Sequence, residues 1–290
     1  RHARRRVWKA DAVTRYWLDD RLVDAADARV SVLDHGFTVG DGVFETVLVR
    51  DGAPFAISRH LARLQRSLAG LGIDGPSTDR VREAVDAVVA GSGVATDFSR
   101  LRITVTSGAG PFGSDRGDAT ATLVVTLAAA APWPPTTSLA TVPWTRNERS
   151  AIAGLKTTSY AENAIALAEA KRHGASEAVL ADTQGRLSEC TGSNVFVVVD
   201  GVVHTPSLDT GCLAGVTREL VLEWGTPVAD LRESHLPYDV LMTADEVFIT
   251  SSTRDVHPVT RIDGRELVAG PVTLALRDAF DEAARSEVDP

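Results

Sequence analysis

The sequence predicts an α+β protein built as two domains, and three observations carry that reading. Strand-like and helix-like stretches segregate in the first half of the chain rather than alternating one by one. An alanine- and proline-rich break, A-A-A-A-P-W-P-P at Ala128–Pro135, interrupts the pattern near the middle and reads as a linker. The chain has 290 residues, 44% apolar and 24% charged, which suits two modest globular domains. The expected division is a basic tail over residues 1–15, a small domain over 16–127, the linker over 128–135 and a second domain over 136–290.

The opening R-H-A-R-R-R-V-W-K is basic. No apolar core follows it, so it does not read as a secretory signal, and disorder is expected there. Tyr16–Leu18, Arg21–Asp24 and Arg29–Leu33 read as short strands, with Asp19-Asp20 at a hairpin tip. Gly36, Gly40 and Gly42 mark a loop that needs positive φ or a close backbone approach. Val43–Arg50 alternates as a strand, and Asp51-Gly52 is a hairpin signal. Ser58 can cap a helix running to Gly72, with Leu61, Leu64, Leu68 and Leu71 at helical spacing. A second helix is expected over Thr78–Ala90. Ser99–Ser107 and Ala119–Leu127 read as strands around a glycine-rich loop.

Past the linker, Ser138–Val142 reads as a strand. Ser159 and Glu162 have capping-box spacing, so a helix should start just after Ser159 and stop at Gly174. Glu177–Ala181 and Asn194–Val199 are apolar runs of strand length, with Asp182–Gly185 as a turn between them. His204–Cys212 reads as a turn-rich loop. Gly215-Val216-Thr217 opens a helix through Trp224. Asp239–Ala244 is a helical turn, and Glu246 begins a strand that ends in the hydroxyl cluster Ser251, Ser252, Thr253. Asp263-Gly264 is a hairpin turn, and Pro271–Ala284 is a closing helix.

Composition excludes several classes. A net charge of −9 offers no basic face for nucleic acid. No apolar run approaches the ~18–20 residues that span a bilayer. Cys190 and Cys212 make neither a disulfide framework nor a metal site, and two reduced thiols point to the cytoplasm.

The chemistry concentrates between Lys156 and Glu189. Lys156 falls just before the expected helix start, after apolar residues. A helix N-terminus and burial both favour the neutral, nucleophilic amine. Glu189 stands in the polar patch S-E-C-T-G-S-N before a strand. Free N–H groups at Val216 and Thr217, with the Thr217 hydroxyl, can cradle a phosphate, although the same geometry also suits an N-cap.

G-L-K-T-T-S-Y-A-E-N followed by L-S-E-C-T-G-S-N-V-F resembles the class IV aminotransferases, which are fold type IV enzymes. The family includes D-amino-acid and branched-chain transaminases, (R)-selective amine transaminases and aminodeoxychorismate lyase. The likeness runs from about Tyr16 to Phe280. It implies a smaller N-terminal α/β domain, a larger C-terminal domain with a barrel-like core, a homodimer, and pyridoxal 5'-phosphate as cofactor. By the same resemblance Lys156 forms the internal aldimine and moves the proton, and Glu189 pairs with the pyridine nitrogen. Arg63 in H-L-A-R-L would grip the phosphate with Val216, Thr217, Ser252 and Thr253. Tyr160 would reach cofactor or substrate, or serve only in packing.

The tail T-S-S-T-R-D-V-H-P-V is similar to the D-amino-acid transaminase pattern. Two departures stand out: Phe44 where those enzymes have Tyr, and Ser107 where an arginine usually begins a carboxylate trap. A carboxylate clamp is then expected from Arg149, Arg254, Arg146 or Arg116. The implied activity is transfer of an amino group from a D-amino acid or (R)-amine to a keto acid. The alternatives are 4-amino-4-deoxychorismate lysis and, more distantly, cofactor binding without catalysis.

Overall fold

The computed structural model describes residues 14–290. The expected basic tail lies outside the described residues, except that Arg15 already opens the first strand. Six helices and fifteen strands follow among the described residues. The strands are β1 Arg15–Leu18, β2 Arg21–Asp24, β3 Gly42–Arg50, β4 Ala53–Pro54, β5 Phe98–Thr106 and β6 Thr122–Ala129, then β7 Thr137–Arg146, β8 Glu177–Asp182, β9 Leu187–Cys190, β10 Asn194–Val199, β11 Val202–Pro206, β12 Leu231–Ser234, β13 Glu246–Ser251, β14 Asp255–Ile262 and β15 Arg265–Glu266. The helices are α1 His35–Thr38, α2 Ile57–Leu71, α3 Thr78–Gly91, α4 Ala161–Arg172, α5 Val216–Trp224 and α6 Pro271–Ser286.

The first sheet is antiparallel, in the order β2-β1-β6-β5-β3-β4. Side chains alternate across a strand, and this divides β3 and β5 cleanly. Val43, Val47 and Val49 of β3 and Leu101, Ile103 and Val105 of β5 join Leu61, Leu64, Val81 and Val85 of α2 and α3 in one apolar core. The other register turns Phe44, Thr46, Arg100 and Arg102 toward a large cavity.

The second sheet is mixed, in the order β12-β11-β10-β13-β14-β7-β8-β9, with β15 paired to β14. Strand β9 at one end packs back on β10 and β11 near the other, so the sheet curls. Leu139, Val179, Leu187, Val195, Val247 and Ile249 fill the inside of the curl. Helices α5 and α6 cover Phe196 and Phe248, which stack at 4.7 Å, while α4 covers Ala140 and Ala178.

Several local expectations are corrected. Arg29–Leu33 is irregular: it pairs with no strand among the described residues, and Leu33 O accepts Gly110 N–H from a loop. Ser58 does not cap α2; the N-cap is Ala56, which contributes no side-chain bond. Asp289 supplies the missing acceptor, taking Ser58 N–H at 2.7 Å and the Ser58 hydroxyl at 2.6 Å. The capping box at Ser159 and Glu162 does not form either. Helix α4 starts two residues later, and the Ser159 hydroxyl donates to Gly40 O at 2.9 Å. The expected loop at His204–Cys212 begins as β11, and the polar patch around Glu189 is itself the strand β9.

Of the three loop glycines, only Gly40 has positive φ, +70°. Gly36 lies in α1 and Gly42 in β3. Both are close approaches: a Cβ at Gly36 would strike Thr106, and one at Gly42 would come 2.8 Å from Val105 O.

Candidate active site

The cavity, about 1400 Å³, lies between the two sheets and receives side chains from both. Its lysine is held by main chain. Short β4 leaves the start of β3 unpaired on one side, and the segment after Leu155 takes that edge. Phe44 N–H donates to Lys156 O at 2.9 Å and Thr158 N–H to Gly42 O at 2.8 Å. From α2, the Ser67 hydroxyl accepts Lys156 N–H at 3.2 Å. The Lys156 ammonium lies 4.5 Å from the centre of the Phe44 ring. Burial, then the Arg63 charge, push its pKa down to about 8; Glu45 and Glu189 pull the other way and Arg102 adds to the fall. Desolvation is the largest of these influences.

Glu189 on β9 faces the same cavity. Its Oε2 accepts Leu213 N–H at 3.0 Å, and its Oε1 is 3.0 Å from Arg146 Nε. Burial pushes its carboxyl up, while Arg146 and the Leu213 amide draw it down. Arg146 is in turn held by Asn163 Oδ1 at 3.2 Å. The Tyr160 hydroxyl donates to Thr191 O at 3.0 Å, and its ring meets Phe44 edge-on at 5.3 Å. Burial raises that phenol to about 12. Its observed bond is therefore to main chain.

The expected phosphate residues gather at one end. Val216 and Thr217 begin α5, whose N-cap is Gly215 with no side-chain bond. The first N–H groups of a helix have no intrahelical partner, so these are available to an anion. Side-chain absence at Gly215 is required, since a Cβ there would strike Asn194 Oδ1. Ser252 and Thr253 border the cavity from the turn after β13, and Arg63 enters it from α2. Thr250 Oγ1 is buried and has no hydrogen-bond partner among the described residues. Amide and hydroxyl donors around an arginine fit a phosphate ester, with an amine and a carboxylate further along the cavity. That donor set matches what pyridoxal phosphate requires.

Arg63 is already committed on one side. Its Nε and Nη2 donate to the two oxygens of buried Glu45 at 2.8 and 2.7 Å, and Nη1 donates to Ala214 O at 2.9 Å. The expected carboxylate clamps fare differently. Arg149 has 81% of its side chain exposed beside Glu148 and does not border the cavity. The Ser107 hydroxyl donates to Asp41 at 2.6 Å, in a cluster with Arg116 that also stands off the cavity wall. Arg254 borders the cavity. Its guanidinium lies over Trp133 at 3.6 Å and reaches Glu177 at 3.5 Å and His257 at 3.1 Å.

Sequence reasoning missed Arg102. Its guanidinium lies over the Phe44 ring at 3.5 Å, and its one protein hydrogen bond among the described residues goes to Thr104 Oγ1 at 3.2 Å. Burial lowers it to about 10, so it remains a cation at neutral pH. The available signal was the alternation R-L-R-I-T-V-T, which puts Arg100 and Arg102 on the face away from Leu101 and Ile103.

A sequence model of the family described as "Amino-transferase class IV" matches residues 42–262. D-alanine aminotransferase of Listeria innocua is 32% identical, over 91% of this chain and 94% of its own. Aminodeoxychorismate lyase of Bacillus subtilis is 29% identical, over 85% and 86%. The crystal structure of a branched-chain aminotransferase from Thermoproteus uzoniensis superposes with a TM-score of 0.88 at 29% identity, covering 93% of this chain and 94% of that one. By fold, motif order and the family match, this chain is an enzyme and belongs to the class IV aminotransferases.

Proposed function

We propose that the protein is a pyridoxal-phosphate-dependent aminotransferase that takes an amino group from an α-amino acid, a D-amino acid in the first instance, and passes it to a 2-keto acid. The single observation that carries this reading is the shared cavity. A lysine with its pKa lowered to about 8, a buried carboxylate and an array of phosphate donors all open into it. Bound there, the cofactor supplies the electron sink that makes an α-proton removable.

The chain's own residues do the rest. Lys156, neutral in an appreciable fraction near pH 8, holds and returns the proton. Glu189, braced by Arg146 and the Leu213 amide, presents a carboxylate that keeps a ring nitrogen protonated. Arg63, Ser252, Thr253 and the amides of Val216 and Thr217 anchor the phosphate. Arg102, with no acid of its own, holds the substrate carboxylate over Phe44. This favours an amino acid over a bare amine.

A second copy of the chain would dock beside the cavity mouth. Val32, Phe37 and Phe112 are 74%, 76% and 84% exposed there, an apolar surface that a homodimer would cover. No helix among the described residues is long and apolar enough to cross a membrane, and the two free thiols are buried, which fits a cytoplasmic enzyme.

The test is a half-reaction followed by absorbance on protein reconstituted with pyridoxal phosphate. Substrates are D-alanine, L-leucine, (R)-1-phenylethylamine and aminodeoxychorismate. Conversion to the amine form of the cofactor by D-alanine is the expected result. Conversion by L-leucine alone reverses the assigned hand. Pyruvate release from aminodeoxychorismate without any keto acceptor replaces the transaminase with the lyase.

A further inference from the structure

Behind the phosphate end of the cavity runs a buried chain of hydrogen bonds that the reaction itself does not use. His60 on α2 is 1% exposed. Its Nδ1 is 2.7 Å from Glu45 Oε2, and its Nε2 is 3.3 Å from the Ser252 hydroxyl. Glu45 is fully buried and held ionised by Arg63, the strongest favourable influence, and by His60. A carboxylate oxygen only accepts, so Nδ1 must carry the proton; two acceptors at that distance would repel. Arg63 Nη2, 3.4 Å from Nδ1, is a donor and competes weakly with the nearer carboxylate.

In a neutral ring Nε2 is then a bare lone pair, and the Ser252 hydroxyl donates to it. A hydroxyl has one proton. While it is given to His60, Ser252 has none for an ionised phosphate oxygen, which only accepts. The conflict disappears if Nε2 gains a proton: the imidazolium donates to Ser252 Oγ and the hydroxyl turns to the phosphate.

Resting on the cofactor reading above, we propose that His60 is a positioning residue that takes up a proton when a phosphate ester enters the cradle, freeing the Ser252 hydroxyl to bind it. The surrounding charges agree with such a change. With the cavity empty of anion, burial, Arg63 and Lys156 hold the ring neutral against the pull of Glu45. A phosphate monoester brings a charge of about −1.5 to −2 to the far side of Ser252 and reverses that balance.

Pyridoxamine phosphate tests this, because its amine cannot condense with Lys156. Apoprotein labelled with 15N at histidine is titrated with it and followed by NMR. His60 should pass from a single proton on Nδ1 to protons on both nitrogens. Calorimetry in two buffers should show about one more proton taken up by the wild type than by Ser252→Ala. The wild-type affinity should fall about tenfold per pH unit relative to that variant over the range where His60 is neutral in the free protein. A His60 that stays singly protonated at saturation overturns the proposal and leaves the cofactor reading intact. Failure of pyridoxamine phosphate to bind at all sinks both.

Discussion

Two arginines face the same cavity, one from helix α2 and one from strand β5, and their surroundings are opposite. Arg63 on α2 has both prongs of its fork on Glu45, in a pair that is almost completely buried. Arg102 on β5 covers an aromatic ring and touches no carboxylate among the described residues. A cation that is neutralised inside the fold serves as part of the wall, with one edge left for a permanent guest. A cation left without an acid favours a ligand that brings one and leaves again. Lys156 borders the same cavity, and both arginines help depress its pKa.

The largest effect should come from that lysine. Lys156→Ala should lower turnover by roughly 10⁴-fold, since both the attachment point and the general base are lost. Steady-state rates with D-alanine and a keto acid measure this, and retained activity would remove Lys156 from the chemistry. Next is the neutralised arginine. Glu45→Gln leaves a buried guanidinium without its anion, which typically costs about 3–5 kcal/mol. Urea unfolding of the apoprotein should show that loss, and an unchanged midpoint would mean the pair is not integral to the fold.

The unpaired arginine should behave in the reverse way. Arg102→Met should leave stability nearly unchanged yet lower kcat/KM on an amino acid roughly 10- to 100-fold, from about 1.5–3 kcal/mol of charge-assisted bonding. The rate with a carboxylate-free amine should not fall. Equal losses on both substrates would break the contrast between the two arginines.

Smaller still is a pH effect on the apoprotein. The folded pKa of Lys156 is below its ordinary value of 10.5, so between about 8 and 10.5 the unfolded chain binds more protons at this residue than the folded one does. Stability contributed by this group therefore rises with pH across that window. Lys156→Met should remove that rise from the unfolding free energy measured at successive pH values. At the bottom of the scale, Arg149→Ala should change stability by no more than about 0.5 kcal/mol and leave the amino-acid rate alone, because the side chain is in solvent.

What the sequence disclosed follows the range of the interactions involved. The helices α2, α3, α5 and α6 and most long strands were legible, because periodicity and turn residues act within a few positions. Lys156, Glu189, Val216 and Thr217 were singled out by the resemblance of the motifs around them, and folding brings all four to one cavity. The start of α2 was not, since its cap comes from Asp289, 231 residues away. Ser159 was read as a cap because Glu162 stands three residues on, yet its hydroxyl donates to Gly40 O, a partner 119 residues away in sequence. Strand β9 is four residues long and half polar, and it exists because β8 offers it a partner. Arg254 and Arg102 look alike on paper. Only folding brings Trp133, Glu177 and His257 around one of them and leaves the other without an acid.

The bond between Asp289 and Ser58 has a consequence for how the protein is made. On the ribosome, the helix that carries His60 and Arg63 emerges well before its capping partner, which lies 231 residues further along the chain. Until then its first turn has solvent in place of that carboxylate. In a nascent chain the N-terminus of this helix therefore waits for that whole intervening stretch before it acquires its final geometry.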